Sequence, residues 1–156
     1  MPRTPFARLM RSRVFHAAAL SIASASPLHA ARPVASPVPS FTAEQAQHGA
    51  DLYQTACAMC HGADLNGNFQ TPSLKGRLVA NWAGTPLSRL TGYIQRAMPL
   101  MAPGTLSTED ATALVAFLLR ENGAAPGKSP LPAVEKRQAF LKFPALAIGP
   151  DKSSAK

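Results

Sequence analysis

Cys57-Ala58-Met59-Cys60-His61 is the stretch on which the reading of this chain turns. Two thiols three positions apart lie about one helical turn from each other, so both can add to the two vinyl groups on one edge of a porphyrin. The histidine beside the second thiol is then held under the iron as an axial ligand. Gly62 follows, where bulk would crowd the edge of the macrocycle. The chain has only 2 Cys, so both are used here and none remain for a disulfide framework. A zinc site wants four ligands and a second pair elsewhere, and adjacent Cys60 and His61 chelate one metal poorly. A thioredoxin-like dithiol wants a βαβ setting. A plain Cys57–Cys60 disulfide is the blandest rival. Covalent attachment of one haem c through Cys57 and Cys60, with His61 on the iron, is the favoured reading.

The residues before the pentad form a helix by every local rule. Thr42-Ala-Glu-Gln45 places a capping hydroxyl ahead of a glutamine three residues on. Ala46, Gly49, Ala50 and Tyr53 then share one face, so a helix from Thr42 to about Thr55 delivers the pentad at its end. Gly49 inside a helix costs about 1 kcal/mol against alanine, which predicts close approach by another helix. His48, among Gln45, Gln47 and Asp51, reads as a solvated position.

Beyond the pentad, Ala63 to Gly76 reads as a loop built on Asn66-Gly67-Asn68 and Thr71-Pro72-Ser73-Leu74. An axial histidine normally donates its second ring N–H to a carbonyl, which orients it and raises its basicity. The Pro72 carbonyl is the candidate acceptor, although the same residues also read as a simple surface turn. Thr85 as N-cap with Pro86 at the first helical position opens a second helix, with Leu87, Leu90, Ile94 and Ala97 as its apolar stripe. It runs into Met98-Pro-Leu-Met-Ala-Pro-Gly104, which cannot be helical throughout. A thioether opposite the histidine favours electron transfer over oxygen chemistry. Met98 is the preferred ligand because proline constrains its backbone, and Met101 is the alternative. Ser107 caps a third helix with Glu109 and Asp110 in its first turn, an apolar face of Ala111, Leu114, Val115, Phe117 and Leu118, and Gly123 as its stop. Phe117 and Leu118 are expected to pack where Gly49 and Tyr53 lie.

The ends of the chain set the address. Residues 1–30 read as a signal peptide, with Arg3, Arg8, Arg11 and Arg13 before a short apolar run and cleavage near Ala30. That run is far shorter than the roughly 20 apolar residues of a membrane-spanning helix, so no transmembrane span is expected in the mature chain. Export and covalent haem attachment agree on the bacterial periplasm. Residues 31–41 read as a Pro/Ser-rich linker, 42–123 as the haem domain, and 124–156 as a Pro/Lys-rich extension, partly disordered. Within that extension, 134–143 reads as a short helix whose Phe140, Leu141 and Phe143 cover the domain surface. The formal charge is +8. Without the four leader arginines, 12 basic side chains face 8 acidic ones, a net of +4. Aromatic residues make up 6% of the chain and no Lys/Arg cluster is dense, so nucleic-acid binding is not expected.

From about Thr42 to Gly123 the residues resemble the class I mono-haem c-type cytochromes. The match rests on Gly49, Tyr53, Cys57-x-x-Cys60-His61-Gly62, Pro72-Ser73-Leu74, Met98-Pro99 and the closing helix. The run from Met98 to Ser107, with Asn122-Gly123, is similar to cytochromes that accompany quinoprotein and other periplasmic dehydrogenases. The resemblance implies an all-α cytochrome c fold, with three main helices and loops around one haem and the first and last helices crossed. It implies iron between His61 and Met98, and the Pro72 carbonyl on His61. The second methionine, Met101, departs from the pattern and leaves the distal ligand open. A one-electron carrier or haem subunit is expected, fed by a periplasmic dehydrogenase and emptied by an oxidase or another cytochrome. It is not expected to be an enzyme by itself. The alternative is a haem enzyme or gas-binding sensor with an open or labile distal site.

Overall fold

The computed structural model describes residues 39–145, and the expected signal peptide lies outside them. The described chain is helical: α1 Ala43–Ala56, α2 Ala58–His61, α3 Arg77–Trp82, α4 Leu87–Ala97, α5 Thr108–Glu121 and α6 Glu135–Gln138. Among the described residues there is no β-strand, only an isolated antiparallel bridge between Pro86 and Lys142. No helix there is long and apolar enough to cross a membrane.

α1 begins where its cap predicts, with the Thr42 hydroxyl accepting the Gln45 N–H. It buries Ala46, Gly49 and Tyr53 against α5. Gly49 is the point of closest approach. A Cβ there would overlap the Ala113 carbonyl and press on Phe117 Cβ, so only glycine lets the two helices meet at this depth. Beside it the Tyr53 and Phe117 rings lie 5.1 Å apart and tilted by 41°. α5 is the hub of the core, with every residue from Ala111 to Leu119 buried. Ser107 caps it by accepting the Asp110 N–H, and Gly123, at φ 98°, ends it.

α4 differs from expectation at its start. Pro86, not Thr85, is its N-cap, and no side chain caps it. The extension does that work instead. Leu87 N–H donates to the Leu141 carbonyl, Phe143 N–H to the Thr85 carbonyl and Gly84 N–H to the Phe143 carbonyl. Backbone from residues 141–143 thus satisfies groups at the start of α4 that a Thr85 hydroxyl was expected to cap. The short α3 was not anticipated: its six residues lack a side-chain cap and bury only Leu78 and Val79.

Residues 124–145 pack closely on the helices. Leu131 and Phe143 are buried and Leu141 half-buried, while Phe140 stays exposed. Gln45 holds Leu131 at both ends, donating to its carbonyl (3.0 Å) and accepting its N–H (2.8 Å). At the other edge of this segment Gly127 N–H donates to the Phe41 carbonyl, and Phe41 is fully buried.

Candidate haem site

The end of α1 runs almost directly into the single turn of α2, with Cys57 at the junction. Cys57 N–H donates to the Tyr53 carbonyl, and the Cys57 carbonyl accepts both Cys60 N–H and His61 N–H. The pentad is therefore one tight turn with both cysteines and His61 on it. Cys57 is half-buried and Cys60 exposed. Burial, then the neighbouring Cys60, pushes the Cys57 thiol above its ordinary range. Gly62 closes the turn at φ 79°, a left-handed conformation that glycine adopts without strain.

The loop after this turn is fastened to it. Gly67 N–H donates to the His61 carbonyl (2.8 Å), and the Asn68 amide donates to the Cys60 carbonyl (3.2 Å). The Asn68 side-chain oxygen also accepts the Gln70 and Thr71 N–H groups, which folds the chain back towards the pentad. Pro72 arrives beside the histidine, its carbonyl 3.2 Å from His61 Nδ1. A carbonyl only accepts, so Nδ1 carries the proton and Nε2 is left with its lone pair.

Two residues the sequence argument did not assign to the site complete this support. Tyr53 Oη donates to the Gly62 carbonyl at 2.6 Å. Burial, helped by the Cys57 and Asp64 charges, pushes its phenol up to about 12. Asn122, at the end of α5, accepts the Gly76 N–H and donates to the Leu74 carbonyl, clamping the segment after Pro72. A tyrosine one turn before the first cysteine and an asparagine ahead of a helix-ending glycine are legible in sequence. Their carbonyl partners are not.

The two methionines are placed differently. Met98, the C-cap of α4, is half-buried and packs against the core, with its N–H on the Ile94 carbonyl. Met101 is 86% exposed. The loop between and after them is laid back on α4 by Gly104 N–H donating to the Gln95 carbonyl (2.9 Å). His48 is exposed, as expected, and its Nε2 lies 3.0 Å from Asp110 Oδ1, linking α1 to the start of α5.

These residues fit a covalently bound haem. The donor set offers two thiols on one turn and an imidazole whose free nitrogen is the one not held by Pro72. Leu52, Ala58, Leu74, Trp82, Met98 and Leu106 are half-buried apolar side chains that pack against the core yet keep part of their surface open, which leaves apolar area for a macrocycle to cover. Trp82 leans on Tyr93 at 5.9 Å.

Comparison with known proteins agrees with this chemistry. Residues 44–118 match the family described as cytochrome c oxidase, cbb3-type, subunit III. Over 94 residues the chain is 35% identical to a thiosulfate dehydrogenase of Allochromatium vinosum, covering 53% of this chain and 34% of that protein. Over 78 residues it is 33% identical to a thiosulfate dehydrogenase of Stutzerimonas stutzeri, covering 45% and 25%. The matches thus span about a quarter to a third of the length of these curated relatives. Among solved structures, the sulfane dehydrogenase SoxCD from Paracoccus pantotrophus is similar at a TM-score of 0.47 and 27% identity, over 76% of this chain and 61% of that one.

Proposed function

We propose that this chain, which belongs to the c-type cytochromes and binds haem c covalently, passes single electrons from a periplasmic dehydrogenase to a downstream oxidase or cytochrome through a His61/Met98-ligated iron. The observation that carries this reading is the hydrogen bond from His61 Nδ1–H to the Pro72 carbonyl, made on the same turn that presents both thiols. Haem, when bound, supplies a one-electron Fe(III)/Fe(II) couple.

The protein's part is to attach, orient and shield. Cys57 and Cys60 are the residues that would hold the macrocycle edge to α2, each through a thioether. The Pro72 carbonyl holds the imidazole in one tautomer and leaves Nε2 as the nitrogen that would bind the metal. Met98 offers a soft, neutral donor from the core-packed end of α4. With the core it packs against, that donor would favour the less charged, reduced state of a bound iron. Met101 is too exposed to be the first choice. With His61 and Met98 both held as ligands, a bound haem would offer substrate no position on the iron, so the chain would act as a relay and the oxidation of substrate would fall to a partner. Both curated relatives are thiosulfate dehydrogenases, which puts inorganic sulfur compounds first as the class of substrate oxidised upstream.

The test is spectroscopic. Oxidised and reduced spectra of the matured protein are expected to show a c-type haem with a weak far-red sulfur-to-iron band and no response to carbon monoxide. Met98→Ala is expected to abolish the band and admit carbon monoxide, whereas Met101→Ala leaves both unchanged. The reverse pattern moves the ligand to Met101. A parent protein that binds carbon monoxide readily favours a gas-binding or catalytic site instead. Reduction of the ferric protein by thiosulfate alone, at a rate that supports turnover, makes the chain an enzyme in its own right.

A further inference from the structure

α6 consists of four residues, and its Lys136 and Arg137 are exposed, yet its last residue, Gln138, is 1% exposed. The amide is fully engaged. Its Oε1 accepts the Thr91 hydroxyl of α4 at 2.7 Å, and its Nε2 donates to the Thr112 hydroxyl of α5 (3.0 Å) and to the Pro132 carbonyl (2.7 Å). Thr91 and Thr112 are themselves buried. A buried amide is costly unless every polar atom is paired, and a fully paired one accepts a single arrangement of its neighbours.

That arrangement extends to the loop at residues 98–104. The Thr112 hydroxyl donates in turn to the Thr108 carbonyl (2.7 Å), and the Thr108 hydroxyl accepts the Gln95 side-chain N–H of α4 (3.1 Å). The Gln95 carbonyl is the one that receives Gly104 N–H and holds the loop down. Thr91 also lies seven residues, about two helical turns, before Met98 on the same helix.

We propose that Gln138 is a positioning residue that fixes α4 against α5 and thereby sets the place of the loop carrying Met98. Residues 124–145 then form a strap that belongs to the redox site. Its link to the iron rests on Met98 as ligand, while its effect on the loop does not. The directional bonds decide the choice of residue: leucine of similar size would fill the space without fixing the rotation of α4 about its axis.

Two variants test this in the haem-loaded protein. Gln138→Leu removes the three bonds of the amide, and Thr91→Val removes one hydroxyl at nearly constant volume, in case the first does not fold. Thr42→Ala is the control, since it weakens the cap of α1 by a comparable amount without touching α4. Hydrogen exchange at the Gly104 amide of the reduced protein is expected to speed up about tenfold in Thr91→Val, as one buried acceptor loses its donor. In Thr42→Ala it is expected to stay near the parent rate. The far-red band is expected to weaken, and carbon monoxide to bind faster, in the same variants. Unchanged Gly104 exchange in folded Thr91→Val, or equal acceleration in the control, overturns the proposal. Faster exchange in a protein whose parent form shows no far-red band supports the strap and sinks the His/Met reading.

Discussion

His61 finds its carbonyl partner eleven residues away at Pro72, inside a loop pinned by Asn68 and Gly67 to the pentad itself. The Met98 side has local bonds of its own, from Met98 N–H to the Ile94 carbonyl and from Gly104 N–H to the Gln95 carbonyl, but the helix they hang on is held from far along the chain. α4 is fixed through Thr91 by Gln138, forty-seven residues further along, and its first N–H is capped by Leu141. The two faces proposed for the iron therefore depend on different parts of the chain. One is built mainly from bonds between the pentad and the loop that follows it, with the Asn122 clamp added at the far end of that loop. The other waits for the end of the domain to fold back, and loss of long-range packing should reach it first.

Phe143→Ala tests that order most severely. Phe143 is 1% exposed, and its backbone bonds to Thr85 and Gly84 hold the extension at the start of α4. Truncation is expected to cost about 3–5 kcal/mol, read as a lowered midpoint in thermal or denaturant unfolding. Haem is expected to stay covalently attached on a denaturing gel while the far-red band is lost. If attachment fails together with the band, the two sides are not separable.

Gly49→Val attacks what both sides share. The new side chain meets the Ala113 carbonyl, which cannot swing aside as a side chain can, so α1 and α5 must separate. The expected loss is about 3 kcal/mol, near the upper end for overpacking, and both haem yield and helix content are expected to fall. Selective loss of the far-red band alone would place the α1/α5 crossing on the distal side only.

The contrast also explains what was legible in the sequence. The pentad, the Thr42 and Ser107 caps, the Gly49 approach and the all-helical class are carried by residues whose meaning lies within a few positions. Pro72 is equally local, and its carbonyl does lie on His61. What escaped was set by distant partners. Thr85 has the right chemistry for a cap, yet Leu141 occupies that role because the returning chain brings a carbonyl to Leu87 N–H. Gln138, directly after Glu135-Lys136-Arg137, looks like surface and is core. His48 is exposed, as its solvated neighbours imply, and only its hydrogen bond to Asp110 of α5 lies beyond a local reading. No periodicity of 3.6 residues encodes those meetings.

Tyr53→Phe sharpens the comparison from the proximal side. The phenol donates to the Gly62 carbonyl, one residue past His61. Its loss is expected to cost about 1 kcal/mol while leaving the far-red band intact. In the parent, burial first of all raises this phenol to about 12 from an ordinary 10.0. Its neutral form is the one the fold favours, so its contribution is full below pH 10 and is lost as pH rises towards 12. An alkaline unfolding limb that is steeper in the parent than in Tyr53→Phe is the expected signature.

The smallest effect belongs to the link farthest from either ligand. Asp110 accepts from the Ser107 hydroxyl and pairs with His48, and these two contacts, Ser107 first, hold its carboxyl below the ordinary range. A carboxylate lowered in the folded state stabilises it above the unfolded pKa of 3.8, and that contribution disappears as pH falls through the folded value. Both partners are partly solvated, so the pair contributes at most about 1 kcal/mol at neutral pH and less at high salt. Asp110→Asn is expected to flatten the acid limb of the stability curve slightly and to leave Gly104 exchange unaltered. A change in Gly104 exchange as large as that in Thr91→Val would mean that the start of α5, rather than Gln138, sets the position of the distal loop.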